Sequence, residues 1–135
     1  MNLTGRCLCG AVAFTAVGVE EQFHACHCDM CRRWSGGPVL GISVEGVEFE
    51  GEDKIARYPS SEWAARGFCN ICGSSLFYHL RQPNKYILCL GSFDDQSALR
   101  LAGEIYVDAK PEGYCFAGDH PRQTEKQFLA TIGMG

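Results

Sequence analysis

Seven of the nine cysteines in this chain fall into three tight clusters: Cys7-Leu8-Cys9-Gly10, Cys26-His27-Cys28-Asp29-Met30-Cys31 and Cys69-Asn70-Ile71-Cys72-Gly73. Cysteines so spaced let a short backbone turn present two sulfurs to one metal ion. A closed set of four thiolates is a structural zinc site, whereas three leave a position for water or substrate. Seven divides as four plus three, which predicts one closed zinc site and one open one. The chain is therefore expected to bind metal for chemistry as well as for folding.

That reading requires thiols kept reduced. No apolar stretch follows Met1-Asn2-Leu3-Thr4-Gly5-Arg6, so no signal peptide is expected, and no apolar run is long enough to cross a bilayer. The expected location is cytoplasmic, where disulfides are rare and clustered cysteines are metal ligands first. An odd count of nine also suits a disulfide framework poorly. The chain does not need metal for want of a core. Its 135 residues are 46% hydrophobic and 21% charged, and a domain of that size buries roughly two thirds of its extended surface. A single domain over residues 1–135 is expected. A net charge of −4 argues against nucleic-acid and anionic-membrane partners, and there is no basic stripe.

Most of the chain reads as short strands punctuated by turns, with sixteen glycines. Strands are expected at 11–15, 39–44, 47–50, 54–58, 64–68, 75–79, 86–90 and 104–107, with 39–44 and 47–50 forming a hairpin about Glu45-Gly46. Helix signals are sparse: a short turn over 29–35, and a helix over 124–131 with Thr124 as N-cap and Gly133 as stop. The expected class is mostly β, a distorted sandwich or barrel with little helix.

Cys-x-Cys-Gly and Cys-x-x-Cys-Gly each place a glycine after the last ligand, where positive φ turns backbone N–H groups toward sulfur. Cys7, Cys9, Cys69 and Cys72 then complete one tetrahedron and close a loop of about sixty residues. Cys26, Cys28 and Cys31 are compact enough to hold a second zinc, leaving it a net charge of about −1. Arg32-Arg33 follow directly; they would offset that charge and bind a substrate carboxylate, or form a plain solvated pair. An alternative partition sets Cys28 and Cys31 with Cys69 and Cys72, as in a zinc ribbon, and strands Cys7, Cys9 and Cys26. A thioredoxin-like role for Cys69 and Cys72 fits poorly, because a strand rather than a helix follows.

The run Gly5-x-Cys7-x-Cys9-Gly10, Cys26-His27-Cys28-x-x-Cys31-Arg32, Cys69-x-x-Cys72-Gly73 and the later 105–111 stretch resembles the glutathione-dependent formaldehyde-activating enzyme family, which includes the centromere-associated protein V domain. The resemblance covers residues 5 to about 122 and implies an Mss4-like zinc-stapled β fold. It implies a structural zinc at Cys7, Cys9, Cys69 and Cys72. It implies a second, catalytic zinc at Cys26, Cys28 and Cys31, where a thiol substrate binds. This chain carries Glu112-Gly113-Tyr114 where the family usually has a tryptophan.

The chemistry so implied is carbon–sulfur lyase chemistry on glutathione or a related small thiol, making or breaking S-hydroxymethylglutathione. Two zinc ions are the expected cofactors. Arg32, Arg33 and His27 are the substrate-binding candidates. His27 is the nearest proton carrier, although its position between two ligands turns its ring away from them. Thiols add to formaldehyde unaided, so a thiol carrier or a zinc-stabilised binding module is the competing expectation. Elsewhere the readings are plainer. Cys89, Trp63 and the phenylalanines belong to the core, and Cys115 to the core or its edge, with contact to the open zinc as its other reading. Trp34 packs near the site. His24, His79 and His120 are ordinary or satisfied histidines, and Asp94-Asp95 is a solvated turn.

Overall fold

A computed structural model describes residues 1–133. The elements run β1 (Leu3–Arg6), β2 (Ala13–Val17), β3 (Gln22–Cys26), α1 (Asp29–Ser35), β4 (Val39–Ser43), β5 (Gly46–Glu50), β6 (Ile55–Tyr58), β7 (Ala64–Cys69), β8 (Ser75–Leu80), β9 (Lys85–Cys89), β10 (Arg100–Ile105), β11 (Arg122–Gln123) and α2 (Glu125–Thr131), with short 3-10 turns between. The strands form two open sheets. One has the order β1-β2-β5 and the other β11-β10-β3-β4-β9-β8-β7-β6. The protein is mostly β, a distorted sandwich, as expected. No described helix is long and apolar enough to cross a membrane.

The two sheets meet through aromatic rings. Phe14 on β2 packs edge-on to Phe93 at 5.4 Å, and Phe49 on β5 lies 5.3 Å from Phe77 on β8 and 5.8 Å from Tyr86 on β9. Val12, Ile42, Leu76, Phe77 and Leu88 are fully buried around them. Alternation along β2 sends Phe14 and Ala16 inward and Thr15 outward, the period of two that a half-buried strand requires.

The expected hairpin does not form. β4 pairs with β3 on one side and β9 on the other, so neither of its edges is left for β5. β5 instead pairs with β2 in the smaller sheet. The chain changes layers at Glu45, whose N–H donates to the carbonyls of Val17 and Gly18. Local turn residues are compatible with a hairpin, but Phe49 is held by the inter-sheet aromatic cluster. Strands β1, β3 and β11 were not expected, and β10 starts four residues earlier than expected. β10 runs parallel to both β3 and β11, a pairing that leaves no hairpin signal in sequence.

The helices match. α1 spans the expected seven residues, and α2 has the expected Thr124 N-cap with a full capping box to Gln127. Trp63 corrects another expectation. It is 54% exposed, in the turn between the edge strand β6 and β7, rather than in the core. Cys115 is exposed rather than buried, and Cys89 is half-buried.

Candidate metal centres

The quartet is assembled by two knuckles about sixty residues apart in the chain, one from each sheet. Cys7 and Cys9 follow β1, while Cys69 ends β7 and Cys72 lies in the turn before β8. Gly10 and Gly73 adopt the left-handed conformation expected of them, with φ of 81° and 79°. Sulfur separations of 3.7 Å for Cys7–Cys9 and 3.8 Å for Cys9–Cys69 match the roughly 3.8 Å edge of a tetrahedron with Zn–S bonds of about 2.3 Å. The Val12 N–H donates to Cys7 Sγ at 3.4 Å, and the N–H groups of Ile71 and Cys72 aim at Cys69 Sγ at 3.4 and 3.5 Å. Backbone donors directed at sulfur stabilise thiolate over thiol. Ser74 ties the knuckles together, accepting from the Leu8 N–H at 3.0 Å and meeting Cys72 Sγ at 3.1 Å. That contact draws the Cys72 thiol down to about 5. The donor set fits a closed, four-sulfur metal site. An open groove of about 550 Å³ lined by Arg6, Leu8, Ser74 and Asp94 runs beside it; no trio cysteine borders the groove.

The trio is local in sequence and built around one helix start. Cys26 ends β3 and Cys31 is buried in the first turn of α1. Cys28 is the N-cap, and its sulfur accepts from the Cys31 N–H at 3.4 Å. The three sulfurs lie within 4.8 Å of one another, close enough to hold one metal ion. Thiol donation from Cys26, and then Cys31, holds Cys28 down at about 2. Cys26 is correspondingly pushed up, chiefly by Cys28. For Cys31 the Cys26 contact acts downward, but Cys28 and burial outweigh it and raise the thiol. The three sulfurs thus hold their protons unequally, with Cys28 the one drawn toward thiolate.

His27 points away from the sulfurs, as alternation on extended backbone demands. It is fully buried, with Nε2 2.7 Å from Glu104 Oε1 on the neighbouring strand β10. Glu104 Oε2 takes His120 Nε2 at 2.5 Å and Arg122 Nε at 3.0 Å. Burial pushes the Glu104 carboxyl up, but hydrogen bonds from His120 and His27 and the charges around it hold it below its usual range. A carboxylate there keeps a proton on His27 Nε2, so Nδ1 is left to accept from Tyr114 Oη, 3.3 Å away. Lys110 Nζ donates to the Tyr114 carbonyl and lies over its ring.

Arg32 and Arg33 sit beside the trio on α1, and both engage Asp29. Arg33 Nε donates to it at 3.0 Å, and Arg32 reaches it at 3.5 Å while its Nε donates to the His27 carbonyl. The cation in contact with a trio sulfur is Arg66 on β7, whose Nη1 donates to Cys31 Sγ at 3.6 Å. Its guanidinium lies 5.2 Å from the Trp34 ring and 5.0 Å from that of Tyr78. Sequence reasoning missed Arg66, Glu104 and Tyr114. A charge inside the apolar run Ala64-Ala65-Arg66-Gly67-Phe68 was the available signal for the first. Glu104 carried the same kind of signal in its own strand.

The family model of the glutathione-dependent formaldehyde-activating enzyme matches residues 2–109. The chain belongs to this family. A relative in Schizosaccharomyces pombe, described as an uncharacterized lyase, is 28% identical over 130 residues, covering 95% of each chain. The fold resembles the crystal structure of a Rhodobacter sphaeroides protein, with a TM-score of 0.56 and 21% identity over 89% of this chain and 99% of that one. Both sets of cysteines fall within the residues matched to the formaldehyde-activating family.

Proposed function

We propose that the protein is a zinc-dependent carbon–sulfur lyase acting on an adduct of glutathione or a related small thiol, with formaldehyde as the paired aldehyde. The observation that carries this is the division of the seven clustered sulfurs into one set of four and a separate set of three. Membership of the glutathione-dependent family supports it, and so does the lyase name of the fission-yeast relative. In this reading Cys7, Cys9, Cys69 and Cys72 hold a structural zinc. Cys26, Cys28 and Cys31 hold a catalytic one, whose open position favours the thiolate form of a thiol sulfur over the thiol.

The overall reaction joins the thiol sulfur to the carbonyl carbon. One C–S bond forms, the C=O bond becomes a single bond, and the thiol proton ends on the oxygen; the lyase direction reverses this. The chain's own residues hold and orient. Glu104 fixes the ring of His27, and so the backbone that carries Cys26 and Cys28. Arg32 and Arg33, beside the trio and exposed to different degrees, meet substrate carboxylates. The ring of His27 turns away from the sulfurs, so a proton it moves would pass through Tyr114 Oη, 3.3 Å from its Nδ1.

Exchange between formaldehyde, glutathione and S-hydroxymethylglutathione, followed by NMR, tests the proposal. Zinc-replete protein should speed exchange above the spontaneous rate, and Cys28→Ser should return it to that rate. Equal rates with and without wild-type protein would leave a thiol carrier or binding module in its place.

A further inference from the structure

Arg66 is a buried charge without the partner that a buried charge needs. It is 5% exposed. Among the described residues no carboxylate lies within ion-pair distance of it. Its Nε is buried with no hydrogen-bond partner. Guanidiniums taken out of water are ordinarily matched to a carboxylate or phosphate, because an uncompensated buried charge is strongly unfavourable. Among the described residues the only polar side-chain atom bonded to it is Cys31 Sγ, at 3.6 Å. The faces of Trp34 and Tyr78 flank the cation, fixing its position rather than cancelling its charge.

We propose that Arg66 selects the charge of the ligand that completes the trio's metal site, favouring an anionic sulfur donor over a neutral one. The inference rests on the reading of Cys26, Cys28 and Cys31 as an open metal site. Three thiolates around a divalent ion leave a net charge of about −1. With Arg66 beside them, the half-buried assembly is near neutral. A thiolate entering as fourth ligand, its proton released to solvent, then brings it only to −1. Without Arg66 the same ligand would bring it to −2 in a partly desolvated site, where like charges repel strongly. A neutral donor such as imidazole adds no charge, so Arg66 bears on it far less. The sequence suggested that Arg32 and Arg33 would offset the trio's charge. Both lie against Asp29, and only Arg66 reaches a sulfur.

The test uses the full chain with cobalt at the trio. 2-Mercaptoethanol, which has no carboxylate, and imidazole are titrated against wild type, Arg66→Met and Arg66→Lys, and the visible cobalt bands are followed. Arg66→Met should lose about 30-fold in affinity for 2-mercaptoethanol and less than about threefold for imidazole. Arg66→Lys, which keeps the charge, should hold the wild-type preference within about threefold. If Arg66→Met fails to fold or to retain cobalt, Arg66→Lys decides. An unchanged preference supports the proposal, and collapse of the preference despite the retained charge overturns it. Equal losses for both ligands in Arg66→Met, or no loss for either, also overturn it while leaving the proposed function standing. Wild-type protein whose cobalt bands respond to neither ligand would overturn the open-site reading itself, and this inference with it.

Discussion

Both oxygens of Glu104 are engaged, by His27 on one side and by His120 and Arg122 on the other. Removing one member of a buried charged cluster strands the rest, so Glu104→Gln should lower stability by about 3 kcal/mol in a thermal or urea melt of zinc-replete protein. The sign with pH follows from the lowered carboxyl. The carboxylate's contribution is complete above the ordinary value of 4.5 and is lost as pH falls through the lower, folded value. Wild type and Glu104→Gln should therefore differ most at neutral pH and converge in acid. A gap that widened in acid would contradict the assignment. Arg33 makes the opposite kind of contact, an exposed pair with Asp29, and pairs of that kind contribute little to stability.

Among elements, the two cysteine groups differ in what they join. The quartet staples β1 to the β7–β8 turn, contacts far apart in the chain, whereas the trio spans one strand end and one helix turn. Structural zinc binding is worth on the order of 10 kcal/mol in small zinc peptides, and the sandwich core softens that figure here. Cys72→Ser should therefore lower the melting temperature strongly, while Cys28→Ser should leave the fold nearly intact and abolish metal at the trio. The reverse ranking in thermal melts would contradict this division. Metal uptake at the trio must displace the protons held by the raised Cys26 and Cys31 thiols, with Cys28 already ionised. Uptake near neutral pH should release about two protons, so affinity should fall as pH falls; metal titration with a pH indicator measures it. Helix α2 has a complete capping box but no buried residue. Thr124→Ala should loosen it by about 1 kcal/mol, seen as faster amide exchange within α2 and a nearly unchanged global melt.

For the molecule as a whole, the proposed count is two zinc ions per chain, one from each sulfur set. Elemental analysis of protein purified without chelator should approach that value. Graded chelation should empty the trio first, because it offers three sulfurs against four. Loss of the first ion should leave the aromatic junction between the sheets in place, since Phe14, Phe49, Phe77 and Phe93 pack without help from the trio. A melt that collapsed with the first ion removed would show that the trio, not the quartet, holds the layers.

Residue order alone determined the parts whose physics is local. Cysteines spaced to share a metal, glycines at the knuckle ends, the Thr124 cap, the α1 turn and most strand positions depend on neighbours a few residues away, so they were legible before any fold. What only the tertiary structure decided are the contacts made across the sheet. β5 left β4 for β2 because both edges of β4 were taken and Phe49 joined the inter-sheet cluster. β10 lay parallel to β3, which set Glu104 against His27 across 77 residues. Arg66, 35 residues from Cys31, came to rest against its sulfur. Period and spacing state which face a side chain takes, but not which strand edge will be free to receive it. The cation that touches the trio was therefore invisible until β7, β8 and α1 came together.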